Sequence, residues 1–296
     1  MRTAAFMFCL LAVVARAQHA LLIQTDFGDK SGAVAAMKGV AYSVDPKLAM
    51  FDLSNRNTPF DVWEAGYRLR EAAPYWPAGT VFVSVVDPGG GTTQKPVVLL
   101  TKSGHYFVAP DNGVLTYVAD RLGIQALREI DVARHHRPGS ENVNASAGRD
   151  MYVYVAAQLA SGRLRFEDAG PLLPPVVVAL AHEPARRDGG AVIGSIPVLD
   201  TQYGNVWTNI DDALFAQLEP KTGSLFHVTI TKGDEAIYEE NVPFVASFGD
   251  VAKGHPLLYV NSLQHLALAL NQGNFAKANA IESGAGWRIR IEKATP

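Results

Sequence analysis

Apolar residues gather in short runs separated by helical periodicity along the first half of the chain. Residues 20–25 are almost wholly apolar and end in Thr25-Asp26-Phe27-Gly28, after which residues 31–44 place small and apolar side chains at helical spacing. Strand, turn and helix is the simplest reading of that switch in period. The alternation continues with a strand at 48–53, a helix at 61–73 carrying Val62, Ala65 and Leu69 on one face, and a strand at 80–86. Strands at 97–101 and 106–108 flank a Ser103-Gly104 turn, and residues 113–122 and 149–159 read as helices. The polar stretch 134–147, with Pro138 and Gly139, predicts an exposed loop in which His135 and His136 are solvated. Strands alternating with helices predict a mostly parallel sheet covered on both faces, hence an α/β fold.

The texture changes after the breaks at 171–175 and 183–190. Short runs at 191–199, 225–232, 236–240, 257–260 and 287–292 are separated by polar or glycine-containing gaps, as expected of an antiparallel barrel-like unit. The predicted organisation is an α/β domain over 18–175 and a smaller β domain over 190–296.

Residues 1–17 stand apart. Met1-Arg2, thirteen uncharged and largely apolar residues, and Ala15-Arg16-Ala17 form the three parts of an export signal, and the apolar stretch is too short to span a bilayer. Removing 17 of 296 residues leaves 279 and takes away Arg2, Arg16 and the single cysteine, Cys9, so the formal charge moves from −3 to −5. The expected location is therefore periplasmic or secreted, with no membrane attachment after cleavage. Without cysteines, the mature chain can form neither disulfides nor thiolate zinc sites. With 26 Lys and Arg against 29 Asp and Glu, the chain lacks the basic excess that a phosphate backbone demands, which argues against nucleic-acid partners. The eight histidines show no HExxH or other ligand spacing, so no metal is expected.

Ligands of open α/β sheets bind beyond the carboxyl ends of the strands. Two aspartates follow predicted strands there: Asp26, and Asp87 in Val85-Val86-Asp87-Pro88-Gly89-Gly90-Gly91. Either carboxylate can accept hydrogen bonds from a ribose diol or hold a water for attack. Equally, Asp26 can cap a helix and Asp87 can open a turn. The glycines after Asp87 lack the Lys-Ser or Lys-Thr pair of a phosphate loop. Ala109-Pro110-Asp111-Asn112-Gly113 reads as a tight turn, and Gly148-Arg149-Asp150 opens a helix with an acid in its first turn. In the second half, Asp200 can receive an ammonium group, and Asn205 has the donor and acceptor that an adenine edge needs.

The order of these motifs, followed by Gly204-Asn205-Val206-Trp207-Thr208-Asn209-Ile210 and Asn261-Ser262, resembles the S-adenosylmethionine (SAM) hydrolase family, the hydroxide adenosyltransferases related to fluorinase and chlorinase. That resemblance implies an N-terminal α/β domain, a C-terminal β-barrel-like domain, and a homotrimer with active sites between neighbouring subunits. It implies SAM as substrate, no cofactor, and hydrolysis to adenosine and L-methionine. Asp26 would hold the ribose, Phe60 would pack near the nucleoside, Asp87 would orient water, Asp200 would receive the methionine amino group, and Asn205, Phe248 and Ser262 would meet the adenine. Departures from the family stand beside these matches. Gln94 or Lys95 occupies the region of a family arginine, Ala147 the place of a histidine, and Ala267 that of a glutamate. Lys95, His135 and His136 are the candidate substitutes. A non-catalytic exported adenosine- or SAM-binding protein is the alternative. A calcium-dependent nucleoside hydrolase has only Asp26 and Asp29 to support it.

Overall fold

The computed structural model describes residues 19–87, 94–140, 146–181, 183–200 and 202–294. The proposed leader at 1–17, the glycines Gly89, Gly90 and Gly91, and part of the 134–147 loop lie outside the described residues.

The first half is a three-layer α/β unit. Strands β1 (Leu21–Thr25), β2 (Met50–Ser54), β3 (Val81–Val85), β4 (Pro96–Thr101), β5 (Tyr106–Pro110), β6 (Ile124–Glu129) and β7 (Leu172–Leu173) form one sheet in the order β2-β1-β3-β5-β4-β6-β7. The first four in that order run parallel; β4, β6 and β7 extend the sheet antiparallel. Every residue of β1 and β3 is buried because successive side chains feed opposite layers. Leu21, Ile23, Val81 and Val83 pack with Met37 and Ala41 of α1 (Ala33–Val44) and with Val153 and Ala156 of α4 (Val153–Ala160). On the other face Leu22, Phe82 and Leu99 meet Ala65 and Leu69 of α2 (Val62–Ala72) and Val118 of α3 (Thr116–Leu122).

The second half contains two antiparallel sheets around one core. Strands β8 (Arg186–Asp188), β9 (Ala191–Ser195), β12 (Leu225–Lys232), β13 (Glu235–Pro243) and β16 (Trp287–Lys293) form one, in the order β13-β12-β16-β9-β8. The other is β10 (Val198–Leu199), β11 (Val206–Asp211), β15 (His265–Leu270) and β14 (Pro256–Val260). Helices α5 (Asp212–Ala216) and α6 (Phe275–Ala278) are short. Val192, Phe226 and Ile289 from the first sheet share a buried cluster with Val206, Leu258 and Leu268 from the second.

Three local expectations change. Residues 191–199, read as one strand, divide into β9 and β10, which belong to different sheets. The helix expected at 149–159 begins as a π-helical turn at Gly148–Tyr152 before α4 continues it. His135 is buried rather than solvated: its Nε2 meets the Asp168 carbonyl at 2.9 Å.

Candidate functional site

The apolar strands β1 and β3 both turn polar one residue before their ends, at Gln24 and Ser84, which are register partners. Ser84 donates to Gln24 Oε1 at 2.8 Å, and Gln24 Nε2 donates to the Ala65 carbonyl of α2 at 3.1 Å. Asn57 joins this buried layer by donating to the Thr25 carbonyl at 2.8 Å. Buried polar groups of this kind fix a single arrangement because each must find a partner. Here the layer pins the segment after β2 across the end of β1.

Asp26 emerges directly above it. Its Oδ2 accepts the Phe60 backbone N–H at 3.0 Å and the Asp87 backbone N–H at 3.5 Å. Both donors occupy the left-handed region, Phe60 at φ 65° and Asp87 at φ 42°, a costly conformation for residues with side chains. Among the described residues, Asp26 Oδ1 has no protein partner. Helix α1 is capped at Gly32, so Asp26 is not its N-cap. Phe60 is 74% exposed, its apolar ring open to solvent while its backbone N–H is held by Asp26. A second clamp comes from Asn112, whose side-chain amide donates to the carbonyls of Val86 at 3.1 Å and Asp87 at 2.8 Å. The Pro110-Asp111-Asn112-Gly113 turn therefore fixes Asp87, a role that its turn-like sequence does not reveal.

Gly148 closes this end of the sheet. A Cβ there would lie 3.0 Å from Val85 Cγ1 and 3.4 Å from the Phe27 ring, so glycine lets the π turn pack tightly against both without displacing either side chain. Two residues on, Asp150 is fully buried and binds two guanidiniums. Arg137 Nε donates to its Oδ1 at 2.6 Å, and Arg149 contacts both oxygens, with Nε 2.9 Å from Oδ1. The Arg149 hydrogen bond is the largest influence holding the Asp150 carboxyl below its ordinary pKa, with Arg137 adding to it. A first-turn position beside the helix dipole does not by itself predict this pairing, because Arg137 lies 13 residues away.

The substitutes for the family arginine and histidine are otherwise engaged. Lys95 Nζ binds Glu129 at 2.7 Å, His135 is held at Asp168, and His136 Nδ1 meets Ser140 Oγ at 3.0 Å.

Asp200, Asn205 and Phe248 come together in the second half. Asp200 Oδ1 accepts the Gln202 N–H at 3.1 Å, while Asn205 Nδ2 donates to Asp200 Oδ2 at 3.4 Å. Gly204, at φ 70°, allows this tight loop and lies so close to Asn274 that any side chain would collide with it. Asn205 and Phe248 line an open cleft of about 650 Å³ with Tyr203, Asn271 and Asn274, a size ordinary for a small-molecule site. The Phe248 ring is steadied edge-on by Tyr259, with centroids 5.0 Å apart.

Asp26, Phe60 and Asp87 are not among the residues lining that cleft. Ser262 is elsewhere again, in the β14–β15 turn facing α2. The predicted residues thus form an N-terminal cluster of Asp26, Phe60 and Asp87, a C-terminal cluster of Asp200, Asn205 and Phe248, and Ser262 apart from both. The first offers the Asp26 carboxylate and an Asp87 held by its backbone; the second offers the amides of Asn205, Asn271 and Asn274 in a cleft that Tyr203 and Phe248 also line.

Comparison with known proteins agrees with the motif order. Residues 21–170 match the family model described as the SAM hydroxide adenosyltransferase N-terminal domain, and 194–288 match that of the C-terminal domain. A (R)-S-adenosyl-L-methionine hydrolase of Salinispora tropica is 32% identical over 267 residues, covering 90% of this chain and 95% of the relative. A fluorinase of Actinoplanes sp. is 28% identical over 298 residues, covering 93% and 97%. A (R)-S-adenosyl-L-methionine hydrolase of Methanocaldococcus jannaschii is 41% identical over 145 residues, 47% of this chain and about half (52%) of the relative. The fold is also similar to a solved structure of an uncharacterized conserved protein from Thermotoga maritima, with TM-score 0.84 and 33% identity over 92% of this chain and 100% of the other.

Proposed function

Because the chain belongs to the SAM hydroxide adenosyltransferase family, we propose that it hydrolyses SAM, in the (R) sulfonium form for which its hydrolase relatives are named, to adenosine and L-methionine. The observation that carries this reading is the double grip of Asp26 Oδ2 on the backbone of Phe60 and Asp87. One oxygen of Asp26 organises the site while the other stays available to the ribose hydroxyls, and Asp87 is set at the end of β3 to orient a water toward the 5′ carbon.

In this reaction the water oxygen forms a bond to C5′ as the C5′–S bond breaks. The bonding pair leaves on sulfur as a neutral thioether, and the water's proton passes to Asp87 or solvent. A sulfonium needs no Lewis acid to depart, so the reading calls for neither metal nor cofactor. Placing one water in line and stripping its shell supplies most of the rate. Asp200, Asn205 and Phe248 would take the methionine amino group and the adenine. Their separation from Asp26 in one chain supports a site shared between subunits of a homotrimer, with Ser262 reaching it from its turn. Export after cleavage of residues 1–17 belongs to the same proposal.

A second reading, an exported SAM- or adenosine-binding protein without turnover, is favoured by a specific observation. Ala147 carries no proton-handling group, and Lys95 is neutralised by Glu129. Incubating the mature chain with SAM and resolving the products by chromatography separates the two. Adenosine with methionine supports hydrolysis; binding without turnover supports the receptor; free adenine overturns both.

A further inference from the structure

A second, smaller cavity of about 80 Å³ lies between the two halves of the chain, and neither cluster uses it. Tyr67 and Arg70 of α2, Arg121 of α3, and Ser262, Gln264 and His265 of the β14–β15 turn reach it. Its charge is unbalanced. Arg70 is half-buried, and its described side-chain hydrogen bond goes to His265 Nε2 at 3.1 Å. That imidazole faces the Leu263 carbonyl with Nδ1 at 2.8 Å, and a carbonyl only accepts, so the proton sits on Nδ1 and Nε2 receives the guanidinium N–H. A neutral histidine does nothing to offset the charge of Arg70. Arg121 brings a second positive charge to the same space.

Among the described residues, neither guanidinium has a carboxylate within ion-pair distance. Glu71, the one acid in the lining, is turned to Arg68 at 3.2 Å. Arg70 is half-buried and Arg121 exposed, and two guanidiniums facing one cavity with no carboxylate partner give it a positive potential that favours an anion. The independent sign is Tyr67. Tyr67 lines the cavity at 1% exposure with its ring under the Arg70 guanidinium, 5.5 Å from the centroid, and its buried hydroxyl meets no hydrogen-bond partner of good geometry. Such hydroxyls are rare unless a water or ligand completes them.

We propose that this cavity binds a small tetrahedral oxyanion of the phosphate or sulfate class, held by Arg70, Arg121 and the Tyr67 hydroxyl. Two positive charges match a dianion. Donors arriving from α2, α3 and the β14–β15 turn surround a tetrahedral group better than a planar carboxylate. Gln264 at the same wall adds a further polar contact. The bound ion would tie the first half of the chain to the second.

The test uses the mature full-length chain without SAM. Inorganic phosphate, inorganic sulfate and malonate are titrated separately at ionic strength matched with sodium chloride, with thermal unfolding and calorimetry as readouts. A saturable rise in Tm with phosphate or sulfate is expected, and the arm with the tighter binding identifies the ion. Arg121 is exposed, so Arg121→Gln should fold normally, and it should weaken binding by roughly 10-fold or more, as loss of a charge-assisted contact does. Tyr67→Phe, which removes only the hydroxyl, should also weaken it. A rise no larger than that from chloride, unchanged affinity in Arg121→Gln, or tighter binding of malonate than of either tetrahedral ion would overturn the proposal.

Discussion

Asp26 holds Asp87 by its backbone: Oδ2 of Asp26 accepts the Asp87 N–H at 3.5 Å while also accepting that of Phe60 at 3.0 Å. The two acids therefore have different tasks. Asp26 spends one oxygen on architecture, and the task proposed for the Asp87 side chain is to meet the reacting water.

Replacing Asp26 by alanine removes the acceptor for two strained N–H groups and the proposed ribose contact together. The expected result is a 10–100-fold rise in KM for SAM, about 1.5–3 kcal/mol, the ordinary worth of a hydrogen bond to a charged group. Steady-state kinetics on the purified variant checks it. An unchanged KM would remove Asp26 from substrate binding.

Asn112 separates positioning from binding. Its amide donates to the carbonyls of Val86 and Asp87, while its Oδ1 accepts the Val114 N–H at 3.1 Å. Asn112→Asp keeps the shape and the acceptor but loses the donor, so it should resemble Asn112→Ala. In both, kcat should fall roughly 10–100-fold with little change in KM, as for a small misplacement of a reacting group. Normal kcat in Asn112→Asp would show that the clamp on Asp87 is unimportant.

Asp150 should give a pH signature. The Arg149 and Arg137 contacts hold its carboxyl below its ordinary value, so its contribution to stability is complete above the unfolded pKa of ~3.9 and disappears as pH falls through the lower folded value. Asp150→Asn should therefore melt below wild type at pH 7, and the gap should narrow progressively as pH falls below ~3.9. Thermal unfolding across that range is the check, and a gap independent of pH would contradict the assignment.

His265 acts in the same direction at higher pH, because its pKa too is lowered in the folded chain. Burial chiefly, and Arg70 next, lower its pKa, with Arg121 acting the same way and the Leu263 carbonyl and Asp211 opposing. The unfolded chain binds the proton more readily, so stability falls as pH drops below the ordinary ~6.5 until the folded value is reached, and is steady beneath it. Subtracting the melting curve of His265→Gln from that of wild type should isolate this fall. A difference that does not vary between pH 7.5 and 5 would show that His265 is not buried as a neutral acceptor.

Much of this architecture is legible in the chain. The continuous apolar runs of β1 and β3 announce strands covered on both faces, and the rule that ligands gather at strand ends leads to Asp26 and Asp87. Other elements follow from distant contacts. β6 contains Gln125, Arg128 and Glu129, and its place in the sheet depends on pairing with β4 and β7. β11 hides within a stretch whose polar residues draw attention as a motif. Motif order brings Asp200, Asn205 and Phe248 into view, but order alone could not reveal that Ser262 lies against α2. Nor could the turn signal around Asn112 disclose a partner 25 residues away. The Arg137–Asp150 pair is hidden in the same way, because neither residue has a local pattern that requires the other.

The most direct measurement runs the reaction on SAM in oxygen-18 water and weighs the products. Attack of water at C5′ predicts one oxygen-18 atom in the 5′ hydroxyl of adenosine, none in methionine, and loss of both products in Asp87→Ala. SAM recovered intact from a protein that binds it, or free adenine in place of labelled adenosine, would contradict the account.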